Sequence, residues 1–368
     1  MIEPYAIHVP EPAVADLRQR LRTARWPSGM TDTGGIPAAR MRDTARYWRD
    51  DYDWPAHQQE LNRLPHFRAV VDGQRLHFVH QRAPAGKAIP LLLLHGWPGS
   101  FVEMLGILPL LAPAFDVVVP SLPGFGFSDP PASPGMSNAR IAELMIRLMD
   151  ELGYERFAVQ GGDWGAGIAS WMAVQAPSRL LGLHLNYIPS SYAPAVTAEA
   201  PLSAAEEDFL RVKAEWAESR GAYAHVQRTR PLTLGYGLSD SPLGLAAWIL
   251  EKFDEWADPD SPLVLDALLT NVTLYWLTNS IAPSLRIYLE SQHTPLRFAA
   301  GERIAVPCAV ARFPREAPFP PRAWVERVYD VRRWTAMPRG GHFAALEQPA
   351  LLAADVTEFF SPAANLPA

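Results

Sequence analysis

Phe157-Ala158-Val159-Gln160-Gly161-Gly162-Asp163-Trp164-Gly165 is the stretch on which the fold turns. Its first four residues form a short strand-type run, and the residues after Asp163 lead into a helix to about Gln175. Between the two lies the pattern small-x-nucleophile-x-small, Gly161-Gly162-Asp163-Trp164-Gly165. A turn that passes straight from a buried strand into a helix leaves no room for bulk beside its centre. Glycines supply that room, and the central side chain is lifted clear of the sheet. The helix that follows aims its N-terminal N–H groups at this point, where they stabilise negative charge. The alternative is plain: Asp163 caps the helix, as many aspartates do.

The surrounding sequence carries the same alternation in both directions. Ile89–Leu94 and Asp116–Val119 are continuous apolar runs, the mark of parallel strands buried on both faces. The helix Asn138–Leu152 precedes the Phe157–Gln160 strand, and Leu181–Leu185 gives a fourth. Strand and helix alternating at this spacing imply right-handed crossovers. The predicted fold class is α/β, an α/β-hydrolase fold with a mostly parallel central sheet, a helical lid and an N-terminal extension. Residues 190–297 interrupt the alternation with helices, predicted over Ser203–Arg220, Leu243–Trp256 and Pro262–Ser280. An insertion at the carboxyl end of a sheet makes a natural lid. Strands resume at Ile304–Val310 and Arg333–Met337, and a helix follows Pro349. Before the sheet, helices are expected over Pro12–Thr23, Pro37–Trp48 and Pro55–Leu64, then strands Phe67–Val71 and Leu76–Val79 around Asp72-Gly73, a hairpin signal. The expected organisation is an N-terminal region 1–85, core 86–189, lid 190–297 and core 298–368.

Aspartate at the centre of the turn selects a chemistry. A carboxylate is already ionised at neutral pH, so no base need activate it for attack on a saturated carbon. Histidine is then free to activate water against the resulting ester. Of the ten histidines, His342 alone sits on a Gly-Gly loop after the last strand, Arg339-Gly340-Gly341-His342-Phe343, where this fold class places its base. Glu316, in Phe313-Pro314-Arg315-Glu316, follows the preceding strand and would orient the imidazole. A surface histidine and an exposed loop glutamate are the plain alternatives. The turn His95-Gly96-Trp97-Pro98 lies where half of an oxyanion hole is built, with the backbone N–H groups of Trp97 and Trp164 as donors. His95 itself reads as a brace for that loop.

These motifs together resemble the microsomal-type epoxide hydrolases across nearly the whole chain. Leu21-Arg22-Thr23-Ala24-Arg25-Trp26-Pro27 and Tyr47-Trp48 resemble that family's N-terminal region. His95-Gly96-Trp97-Pro98-Gly99-Ser100, Gly161-Gly162-Asp163-Trp164-Gly165, Asp240-Ser241-Pro242, Ile249-Leu250-Glu251-Lys252-Phe253 and Gly340-Gly341-His342-Phe343-Ala344-Ala345 resemble its further motifs. The resemblance implies two lid tyrosines that hydrogen-bond the epoxide oxygen; Tyr223 and Tyr288 match them. By sequence alone either could be lid packing. It also supports Glu316, since the family carries Asp or Glu there. The implied reaction converts an epoxide to a vicinal diol through an aspartyl ester, without metal or organic cofactor. A haloalkane dehalogenase-like hydrolase shares the aspartate nucleophile but has no use for paired phenols. A non-catalytic α/β-hydrolase that binds a small molecule is the rival of another class.

Composition narrows the partners. Hydrophobic residues at 48% and charged residues at 20% suit a globular chain, and the net charge of −6 offers no basic face for nucleic acid. The single cysteine, Cys308, sits in an apolar run and allows no internal disulfide. No targeting signal or membrane-length apolar window is visible, and the chain starts without the anchor of membrane-bound animal members. The expectation is therefore a cytoplasmic enzyme without membrane association, acting on a small hydrophobic epoxide and water, with a homodimer suggested by analogy. The resembled bacterial enzymes serve detoxification or natural-product biosynthesis.

Overall fold

The computed structural model describes residues 1–28, 34–84, 88–261 and 263–361. In chain order, β1 (Ile2–Pro4), α1 (Glu11–Arg22), α2 (Ala38–Asp50), α3 (Trp54–Leu61), β2 (His66–Val71) and β3 (Gln74–Gln81) precede the parallel core. The core opens with β4 (Ile89–Leu94), α4 (Leu108–Leu111), β5 (Phe115–Pro120), α5 (Asn138–Glu151), β6 (Phe157–Gly161), α6 (Asp163–Gln175) and β7 (Leu180–Leu185). Six helices follow: α7 (Ala204–Arg220), α8 (Ala222–Thr229), α9 (Pro231–Asp240), α10 (Pro242–Trp256), α11 (Leu265–Leu277) and α12 (Ile281–Ser291). The core closes with β8 (Ile304–Arg312), α13 (Arg322–Glu326), β9 (Tyr329–Ala336), α14 (Ala344–Glu347) and α15 (Pro349–Phe360).

Among the described residues the strands form one nine-stranded sheet in the order β1-β2-β3-β5-β4-β6-β7-β8-β9. The first three join antiparallel, and every pairing from β5 to β9 is parallel. Leu91 through Leu94 and Val117 through Val119 are fully buried, as strands covered by helices on both faces must be. The strand order reverses around β4 and β6, so both strands point their carboxyl ends at one crevice. That is where an open α/β sheet binds its ligand. The helical insertion leaves the sheet after β7 and returns before β8, and its base is closed by a bridge between Ala193 and Arg297.

The predicted elements are present with shifted ends. Asp72-Gly73 turns the β2–β3 hairpin, with both residues at positive φ. The last core strand starts at Tyr329 rather than Arg333 and stops before Met337. The helix expected over Pro262–Ser280 corresponds to α11, which ends at Leu277; Asn279 turns the chain at φ +50° before α12 begins at Ile281. The predicted start at Pro262 and the segment boundary at 85/86 lie outside the described residues. Three lid helices, α8, α9 and α12, and the short strand β1 have no counterpart in the sequence reading. In α9 the helical pattern is masked by Pro231, Gly235 and Gly237.

Candidate active site

At the end of β6 the chain turns into α6 within two residues, and Asp163 takes a backbone φ of +46°. A left-handed conformation in a non-glycine residue costs about 1–3 kcal/mol, held here by the packed strand and helix around it. Close approach dictates the neighbours. A Cβ on Gly165 would stand 2.1 Å from the Leu94 carbonyl oxygen, and one on Gly96 would stand 2.2 Å from Asp163 Oδ1. Only bare backbone fits at Gly96 beside this carboxylate and at Gly165 against β4.

The Trp97 N–H donates to Asp163 Oδ1 at 2.8 Å, and the Trp164 N–H also bonds the carboxylate. Asp163 Oδ2 lies 3.6 Å from His342 Nε2, within ion-pair range but longer than a direct hydrogen bond. On the far side of the ring, His342 Nδ1 and Glu316 Oε2 are hydrogen-bonded at 2.7 Å. The three side chains from β6, β8 and β9 ends thus form one line: Asp163, His342, Glu316. Withdrawal from bulk water raises the Asp163 carboxyl above its ordinary range, against the pull of His342 and the two amides. For His342, burial works toward the neutral ring, but Glu316 and Asp163 prevail and raise its pKa to about 9.

Tyr223 on α8 and Tyr288 on α12 close the site from the lid. Tyr223 stacks on Trp97 with ring centres 5.7 Å apart, and Tyr288 meets Trp164 edge-on at 4.6 Å. The two phenol rings are 6.1 Å from each other. Burial foremost pushes both phenols well above pKa 10, aided at Tyr223 by the charge of Asp163 and at Tyr288 by Tyr223 and then Asp163, so each stays a neutral O–H donor. Every residue singled out from the sequence therefore faces one cavity of about 680 Å³, or frames it. Such an array can receive an electrophilic carbon at Asp163, give hydrogen bonds to an oxygen above it and move a proton at His342.

Several residues that build the site had no sequence signal. Tyr275 donates its hydroxyl to the Gly99 carbonyl at 2.7 Å, and Asn271 donates its amide to the Pro98 carbonyl at 2.7 Å. Ser100 completes the clasp by donating to Asn271 Oδ1 at 2.7 Å. These three fix the loop that carries Trp97. Glu347 does the same for the histidine loop, accepting the N–H groups of Asp258, Gly341 and Phe343 at 2.7–2.9 Å. Glu103 is pushed up to about 8, chiefly by burial and despite the nearby charge of His342. Lys252 lies 4.9 Å over the Tyr223 ring and pairs with Glu251. His95 braces its loop: Nδ1 donates to the Gly96 carbonyl at 3.1 Å and Nε2 accepts from the Leu122 N–H at 3.2 Å. Burial lowers that ring's pKa to about 4, so it stays neutral. Among the described residues no cluster of His, Cys, Asp and Glu has the form of a metal site, and no helix is long and apolar enough to cross a membrane.

With this geometry established, similarity to known proteins can be placed on it. Residues 2–104 match the family described as epoxide hydrolase N terminus, and residues 89–224 match the alpha/beta hydrolase fold. A protein of Stigmatella aurantiaca, provisionally named an epoxide hydrolase, is 42% identical over 98% of this chain and 84% of its own length. Epoxide hydrolase 1 of Oryctolagus cuniculus is 34% identical over 97% of this chain and 88% of its own. The structure of the Aspergillus niger epoxide hydrolase superposes with a TM-score of 0.87 at 32% identity, over 98% of this chain and 96% of that one.

Proposed function

Because the chain belongs to the epoxide hydrolase family, we propose that it opens epoxides to vicinal diols through an ester on Asp163. The observation that carries this reading is the split of the Asp163 carboxylate. Oδ1 is held by the Trp97 amide at 2.8 Å, while Oδ2 is the oxygen that lies 3.6 Å from His342 Nε2. Oδ2 attacks one epoxide carbon as the C–O bond breaks, and Oδ1 becomes the ester carbonyl. Tyr223 and Tyr288 hydrogen-bond the departing alkoxide, which takes up a proton; His342, protonated in the free enzyme, returns that proton to the phenols through solvent. Neutral His342, oriented by Glu316, then removes a proton from water as the water attacks the ester carbonyl. Negative charge gathers on Oδ1 beside the Trp97 and Trp164 amides, where one such donor contributes about 3 kcal/mol. Collapse releases the diol and restores the carboxylate and the imidazolium. The same reading makes 86–189 and 298–368 the catalytic core, 190–297 its lid and 1–85 an N-terminal support.

A single turnover in ¹⁸O-labelled water tests the route. The ester mechanism places label first in Asp163, because water attacks the carboxyl carbon and the diol takes the old carboxylate oxygen. In His342→Gln the ester accumulates, visible by mass spectrometry as a protein adduct of substrate mass. Label confined to the first-turnover diol refutes the covalent route. Halide release from a chloroalkane without diol from a styrene-type epoxide favours the dehalogenase alternative, and neither reaction favours a binding protein.

A further inference from the structure

The lid helix α7 carries its charges on separate faces. Its acids are Glu206, Glu207, Asp208, Glu215 and Glu218, and none of them lines the cavity. Its bases divide differently. Arg211 lies off the cavity and is paired with Asp208 and Glu215, whereas Lys213 and Arg220 both line it. Phe209, Lys213, Trp216, Ala217 and Arg220 recur at helical spacing and make one stripe toward the cavity. On α8 the stripe continues with Arg228.

These three cations have no carboxylate partner in the described structure. Lys213 is half-buried and donates only to the Ser190 carbonyl, at 2.7 Å; Arg228 shares a contact with His225 at 3.1 Å; Arg220 is exposed. An ammonium withdrawn from water with one neutral acceptor is under-compensated. The other charged groups lining the cavity are Arg315, which pairs at 3.7 Å with Asp258, the acids Asp163 and Glu316 with the His342 imidazolium between them, and Glu255, which lies 3.9 Å from Lys252. The molecule as a whole carries −6, so a cationic stripe here runs against the overall charge. Its apolar neighbours, Phe209, Trp216 and Trp324, suit a hydrocarbon or aromatic body between the reacting end and the charged stripe.

From this segregation we propose that the cavity takes epoxides that bear a carboxylate on an apolar body, with the Lys213–Arg220–Arg228 stripe as the anion subsite. The proposal rests on the epoxide hydrolase reading of the same cavity and names its substrate class. Cations facing an anionic ligand raise its local concentration and its encounter rate, and both effects weaken as salt screens them. Solvent-facing pairs are individually weak, so the combined preference is modest: about tenfold in kcat/KM over a neutral analogue.

A terminal epoxide of a medium-chain fatty acid and its methyl ester form the test pair. Diol formation is measured for each at low and high sodium chloride. The expected result is a carboxylate-to-ester ratio near ten at low salt that shrinks toward one at about 0.5 M. The ratio is also expected to collapse in Lys213→Met/Arg220→Met/Arg228→Met. Turnover of both substrates with a ratio near one at low salt overturns the anion subsite and leaves the hydrolase reading intact. A ratio that persists at high salt and in the triple variant overturns it as well. Diol from neither substrate, nor from a styrene-type epoxide, overturns both readings. The salt series requires no variant, so a folding defect in the triple substitution leaves the test intact.

Discussion

His342 illustrates how a single bond change can switch a residue between tasks. In the free enzyme Glu316 and Asp163 overcome burial and lift the ring to about 9, so at neutral pH it is an imidazolium. In the proposed mechanism alkylation would turn Asp163 into a neutral ester and remove one of those two charges, so the ring's pKa would fall as the step that needs a base begins. Replacing Glu316 by Gln removes the larger support. In Glu316→Gln, ester hydrolysis is expected to slow by about 10²-fold or more while alkylation is less affected, read by rapid-quench quantitation of the adduct. Stability follows the same proton. A histidine whose folded pKa lies above its unfolded value of 6.5 contributes stability that is full below pH 6.5 and is lost as pH rises through about 9. Glu103, raised from 4.5 to about 8, acts in the same direction over a lower window. Wild-type denaturation midpoints should therefore decline from pH 6 to pH 9.5, and Glu316→Gln should reduce the part of the decline above pH 6.5. An unchanged pH profile in the variant contradicts the coupling.

Among the elements, α11 decides how well the oxyanion loop is held. Asn271 and Tyr275 lie one turn apart on it and grip successive carbonyls, Pro98 and Gly99, from the same face. Asn271→Leu keeps the bulk but leaves the Ser100 hydroxyl and the Pro98 carbonyl without their buried partner, which costs about 1–3 kcal/mol each way it is reckoned. The expected outcome, if the Trp97 amide serves the proposed tetrahedral intermediate, is a lower melting temperature together with a fall in kcat that exceeds any change in KM. Equal kcat in a stable variant would show that the loop holds itself. None of this was legible in the sequence, because a lone Asn or Tyr in an apolar helix reads as packing until its partner is known. What was legible had local causes. The buried strands announced themselves as unbroken apolar runs, and the elbow by glycines whose Cβ atoms would strike the Gly165 backbone, Asn186 and Leu94. Tyr223 and Tyr288 lay between these extremes: their helices were missed, and only resemblance to a family pointed to them. The expected helix end at Ser280 overran α11, which stops at Leu277, for a related reason: a left-handed Asn279 leaves no mark in hydrophobic spacing.

The N-terminal helices extend the same chain of support across the whole molecule. Trp48, buried on α2, donates its indole N–H to Thr273 on α11 at 2.8 Å, and Tyr52 meets Thr270 one turn earlier at 3.0 Å. Tyr47 reaches Asp266 at the start of the same helix, at 2.8 Å. Arg20 and Arg40 pair with Asp240 and Asp254 of the neighbouring lid helices, though such exposed pairs contribute little. Residues far from Asp163 in sequence thus set the position of α11, which sets the loop, which sets the Trp97 amide. Trp48→Ala tests that order of dependence. Loss of a buried indole should destabilise by about 3–5 kcal/mol, and Trp48→Phe, which keeps most of the ring but removes the indole donor to Thr273, by about 1–2 kcal/mol. If the N-terminal region braces the lid, hydrogen exchange in Trp48→Phe should quicken in α11 and the 95–100 loop while β4 and β6 stay protected, with kcat reduced alongside. Faster exchange spread evenly over the sheet would instead make Trp48 an ordinary core residue, with no privileged line to the site.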